Sequence, residues 1–83
     1  LEVLMKIHIA GVVRRARRER LARRYDLMAD KAAERAVFWA NQAAGFALFD
    51  LEGSFQEAKH KHQEHVEAER VARVRAEGIR SGK

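Results

Sequence analysis

Within the run VRRARRERLARRYD, residues 14–24 hold seven arginines and one glutamate, a net charge of +6 in a chain whose total is +5. A guanidinium is planar, permanently charged and able to grip a carboxylate or a phosphate through two parallel hydrogen bonds. Arg14, Arg15, Arg17, Arg18, Arg20, Arg23 and Arg24 are therefore the candidate partner-binding residues. Two targets suit them: the acidic surface of a larger protein, or the phosphates of DNA or RNA, which release counterions when neutralised. No aromatic side chain is interleaved for base stacking, since Tyr25 lies just past the end, and the chain has no second basic run. The acidic protein surface ranks first, nucleic acid second, and a membrane is disfavoured.

The segment HKHQEH raises metal chemistry. His62 and His65 are three residues apart and Glu69 follows four later, so on a helix the three share a face and offer two nitrogens and a carboxylate. His60 falls on another side, Lys59 and Lys61 add positive charge, and no cysteine completes a ligand set. Histidines half-exposed at a helix seam are the expectation, and no metal or other cofactor is assigned. Nothing in the sequence resembles a nucleophile system. Ser54 is placed to cap a helix, Ser81 sits near the end, there is no Thr or Cys, and no glycine-rich phosphate loop follows a strand. An enzyme is not expected.

The third distinctive stretch is apolar. Residues 36–49, AVFWANQAAGFALF, carry no charge and hold the single Trp and three of the four Phe. On a helix this coat runs nearly all round, a pattern normal for a helix covered on every side. One short chain has little to cover it with, so a second copy is expected. Met28, Ala32, Phe38, Trp39, Ala43, Phe46, Phe49 and Phe55 are the candidate oligomer-interface residues.

These three features need helices to position them. The chain has 83 residues, no Pro and five Gly, a composition dominated by helix formers. A single domain of this size sits where one core is marginal and oligomerisation commonly adds burial. Without cysteine there is no disulfide framework, no apolar run reaches the ~18 residues of a membrane span, and a cytoplasmic location is the default. Met5 is a candidate natural start.

Residues 1–11 alternate apolar and polar, which suggests a short strand or extended arm ending at Gly11. From about residue 12 the spacing turns helical. Leu21, Tyr25, Met28, Ala32, Ala36, Trp39, Ala43 and Phe46 recur in steps of four and three, close to the heptad of a coiled coil. A first helix is expected over residues 12–48, with a possible interruption at Tyr25 and Asp26. A turn follows at residues 50–53, with Gly53 free to take positive φ. Ser54 and Glu57 have the spacing of a capping box that opens a second helix over residues 54–77; its apolar face is thin, through Phe55, Ala58, His62 and Val66, and the tail beyond it is frayed.

The expected fold is thus all-α: a two-helix antiparallel hairpin with a long first and shorter second helix, an N-terminal strand or arm, and a helical homodimer as the assembly. The expected function is that of a small non-enzymatic adaptor or inhibitor. It would self-associate through the apolar stripe and reach a larger partner through the arginines. The alternative is a small dimeric nucleic-acid-binding regulator.

Overall fold

The computed structural model describes residues 2–82 and contains two helices, α1 (Glu2–Leu48) and α2 (Glu52–Arg80), packed side by side as an antiparallel hairpin. At 1.5 Å per residue α1 alone is about 70 Å long, and it sets the 73 × 17 × 11 Å dimensions of the rod. The radius of gyration, 20.2 Å, compares with about 12 Å for a compact domain of this length.

Of the strand or arm expected at residues 1–11, residue 1 lies outside the described residues and the rest is no strand: residues 2–10 are helical and continue into α1 without a break at Gly11. An isolated strand has no ladder partner to satisfy its backbone. Extending an existing helix, by contrast, closes one hydrogen bond per added residue without a new nucleation cost. The β-branched Val3, Ile7 and Ile9 lower helix propensity by only tenths of a kcal/mol each, roughly. Nor is α1 interrupted at Tyr25 and Asp26, where the helix runs straight through.

The reversal is a three-residue connection, with Asp50 at φ 54°. Leu51 donates its backbone N–H to Phe46 O at 3.0 Å and Asp50 donates to Ala47 O at 3.3 Å. This is the pair of bonds of a Schellman helix end, with Asp50 in the left-handed position that usually selects glycine. Gly53, expected to supply the positive φ, lies within α2, which starts two residues before Ser54. The Ser54–Glu57 capping box therefore does not form. Leu51 occupies the cap position with no side-chain hydrogen bond, and the exposed first turn instead carries a Gln56 Nε2 to Glu52 Oε1 bond of 2.8 Å, with Glu52 favourably placed at the positive end of the helix dipole. At the other end α2 runs on to Arg80, through part of the tail expected to fray.

The seam between the helices is made of alanine. Among the described residues, Ala22, Ala29, Ala32 and Ala36 of α1 and Ala58, Ala72 and Ala76 of α2 are the buried hydrophobic ones, and no larger side chain is fully buried. Their spacing keeps one line of each helix facing the other, as in a coiled coil, and alanine draws two helix axes toward the short end of the usual separation of about 8–10 Å. Tyr25, Trp39, Ala43 and Phe46 are half-buried on the same line. Leu21 and Met28 sit one step off it and are exposed, their places on the seam taken by Ala22 and Ala29. On α2 the seam turns through Ala72 and Ala76, while Val66 stays exposed.

Candidate interaction surfaces

Contacts across the hairpin are symmetric about Asp50, which fixes the register. Arg75 stacks on Tyr25 at 5.9 Å and Lys61 on Trp39 at 4.5 Å, pairs equidistant from that turn. By the same symmetry the last turn of α2 meets the arginine-rich turns of α1.

There Arg80 binds two carboxylates of α1. Its Nε and Nη2 donate to Glu19 Oε2 and Oε1 at 3.2 and 3.0 Å, and Nη2 also donates to Asp26 Oδ2 at 2.6 Å. The hydrogen bonds from Arg80 hold both Glu19 and Asp26 below the usual carboxylate range, and the same bonds, that to Glu19 first, raise the guanidinium. Glu19 also lies 3.6 Å from Arg23 Nε. The acids of this region are thereby engaged. Among the described residues, no carboxylate stands within ion-pairing distance of Arg14, Arg15, Arg17, Arg18, Arg20 or Arg24.

The seven arginines do not form one patch. Arg17, Arg20 and Arg24 line an open depression with Leu21. At helical spacing they lie on the side of α1 turned away from the alanine seam, and the exposed Lys31 and Arg35 continue that side toward the turn. Arg15 and Arg18 line a second depression with Glu19 and Arg80, at the open end of the hairpin. Arg23 is the one held by Glu19.

At the closed end, α2 covers the apolar stretch on one side only. Phe55 and Phe46 are half-buried, and Phe38 meets Trp39 edge-on with ring centroids 5.1 Å apart. Phe38, Leu48 and Phe49 remain 52%, 83% and 76% exposed. Of the proposed oligomer-interface residues, Ala32 lies buried within the hairpin, Trp39, Ala43, Phe46 and Phe55 are partly used by it, and Met28, Phe38 and Phe49 face outward.

His62 Nδ1 is 2.8 Å from Ala36 O. A carbonyl only accepts, so Nδ1 carries the proton and donates across the seam. Glu69 is engaged by Arg73 at 2.8 Å, and among the described residues no group of three or more histidines and carboxylates is gathered as a metal would require. His62, His65 and Glu69 thus share a helix face without converging.

Arg80, Glu19 and Asp26 are the residues that sequence reasoning missed. The signal was the turn: folding the chain back at Asp50 brings residue 80 opposite residue 19, which places the acid within the arginine run on the face toward α2. The fold defines an all-α helical hairpin, and among the described residues no helix is long and apolar enough to cross a membrane. No protein-family model, curated protein or solved structure gives a significant match to the chain.

Proposed function

We propose that this protein is a cytoplasmic, non-enzymatic interaction module, an adaptor or inhibitor that works as a homodimer and docks on the acidic surface of a larger partner. One observation carries the reading: α2 covers only one side of α1, leaving open both the apolar closed end and the arginine side. Phe38, Leu48 and Phe49 form the face for a second copy. Arg17, Arg20 and Arg24, pointing away from α2 and without carboxylate neighbours among the described residues, reach the partner. Trp, Tyr and Arg are the side chains that most often dominate such contacts.

A second reading, a small dimeric nucleic-acid-binding regulator, draws on the same uncompensated guanidinium groups, which suit phosphates as well as carboxylates. Salt separates the two. The protein is titrated into labelled duplex DNA and single-stranded RNA at ~50 and ~200 mM salt, a range across which several phosphate contacts lose most of their strength. The adaptor reading expects no tight binding at the lower salt. Tight binding that collapses at the higher salt, and that disappears when Arg17, Arg18 and Arg20 are changed to Glu, would replace it with the nucleic-acid reading.

A further inference from the structure

Met5, Ala16, Leu27 and Phe38 recur at intervals of eleven residues along α1, and Phe49 continues the count just past its end. Eleven residues make close to three turns, so each step advances only about 20° around the helix and the five keep to one line. At 100° per residue that line lies on the side of α1 opposite the alanine seam. There α2 does not reach, and all five residues are exposed, Leu27 by 62%. Ile9 and Gly45 stand on the same line; Ile9 is exposed, and a Cβ added at Gly45 would meet nothing within 4 Å.

The line is symmetric about Leu27. When a second α1 is laid against it antiparallel, Leu27 facing Leu27, each residue meets the one equally far from position 27 in the other direction. Phe38 then meets Ala16, Ile9 meets Gly45 and Phe49 meets Met5. The polar residues on the line match as well. Arg20 and Glu34 each lie seven residues from Leu27, so the Arg20 of either copy meets the Glu34 of the other. Both are exposed, and among the described residues neither joins an ion pair within its own hairpin. Sliding one copy by seven residues sets Leu27 against Arg20 or Glu34. A parallel arrangement sets Arg20 against Arg20 and Glu34 against Glu34. Arg23 and Lys31 lie about 40° to either side of the line, so they fall on opposite edges of the contact, where long stems carry their charges into solvent.

We infer that the second copy lies antiparallel along the far side of α1, over residues 5–49, with Leu27 on the two-fold axis. This rests on the reading that the protein is a homodimer, and it gives the open face of Phe38 and Phe49 an occupant, residues 5–16 of the second copy. A contact from residue 5 to residue 49 is about 66 Å long and about 10–12 Å wide. Its area is close to the ~800 Å² that each partner contributes to a standard interface. Arg20 turns to the second copy, while Arg17 and Arg24, about 80° and 60° off the line, stay open to the larger partner.

The chain has no cysteine, so single cysteines report which residues meet, a disulfide requiring Cα atoms within about 7 Å. Leu27→Cys, Gly45→Cys and Ile9→Cys are oxidised in solution and resolved by non-reducing electrophoresis. Leu27→Cys is expected to link to itself. Gly45→Cys is not, since the two copies of residue 45 stand about 54 Å apart, but it links to Ile9→Cys when the two variants are mixed. By sedimentation, Glu34→Arg is expected to weaken dimerisation about tenfold or more, and the double variant Arg20→Glu, Glu34→Arg to recover it. Self-linking of Gly45→Cys, or an unlinked Leu27→Cys in a chain that sediments as a dimer, would overturn the inference and leave the homodimer reading standing. A double variant no tighter than Glu34→Arg would overturn the register. A native chain that is monomeric would overturn both the inference and the reading beneath it.

Discussion

Arg80 pairs with Glu19 and Asp26, the acids within and just after the arginine run, and the pH behaviour of the hairpin should report it. Glu19 and Asp26 are held below their ordinary values by its hydrogen bonds. A carboxylate lowered in the folded state contributes stability that is present above its unfolded pKa and lost as the pH falls through its folded one. Between neutral pH and about pH 2, spanning the ordinary carboxylate range, the melting temperature of the native chain is expected to fall as this contribution goes. Arg80→Gln should start lower at pH 7 and fall less across the same range; parallel profiles would contradict the role given to Arg80. Asp50 provides a second test at this scale. Its backbone sits at φ 54°, a conformation costing roughly 1–2 kcal/mol for an ordinary side chain, less for Asp, and nothing of the kind for Gly. Asp50→Gly should leave urea stability unchanged or raise it, and Asp50→Val should lower it by about 1 kcal/mol or more. Equal stabilities for the Gly and Val variants would show that the turn does not depend on this conformation.

At the scale of elements, the alanine seam sets how closely α1 and α2 approach. Ala29 is fully buried, whereas Ala40 is exposed. Ala29→Leu should force the helices apart and cost about 1–3 kcal/mol by urea unfolding, while Ala40→Leu should fall within about 0.5 kcal/mol of the native chain. Tolerance of Leu at position 29 would mean that the helices are not closely packed there. The same seam explains what the sequence could and could not convey. Two helices and the turn between them are legible because residues 12–48 carry a clear heptad-like spacing and helix formers dominate. The line through Tyr25, Ala32, Ala36 and Trp39 is legible too. Leu21 and Met28 mislead because hydrophobicity ranks them above Ala22 and Ala29, whereas close packing of two helices selects the smaller side chain. Residues 1–11 mislead because five alternating apolar positions fit a strand as well as a helix that is apolar around most of its circumference. Ser54 misleads because a capping box is a spacing, and here the Asp50 backbone had already fixed where α2 begins. Arg80 becomes meaningful only once the hairpin register is known, since neither its neighbours nor its spacing marks it.

For the whole molecule, the quantity that matters is surface. The chain exposes 6764 Å², against about 5,000 Å² for a compact monomer of 9.5 kDa. The difference exceeds the ~800 Å² that each partner contributes to a standard protein interface. Among the described residues the buried hydrophobic ones are all alanines, each contributing little apolar area, so the lone hairpin is thinly stabilised. A second copy on Phe38, Leu48 and Phe49 would supply burial that one chain lacks. The most direct test is sedimentation equilibrium over a range of protein concentrations, comparing the native chain with the exposed double variant Phe38→Ser, Phe49→Ser. The account predicts a native mass of two chains and a variant mass of one, with helix content retained in both. A native chain that sediments as a monomer at every concentration would contradict it, as would a dimer that the variant leaves intact.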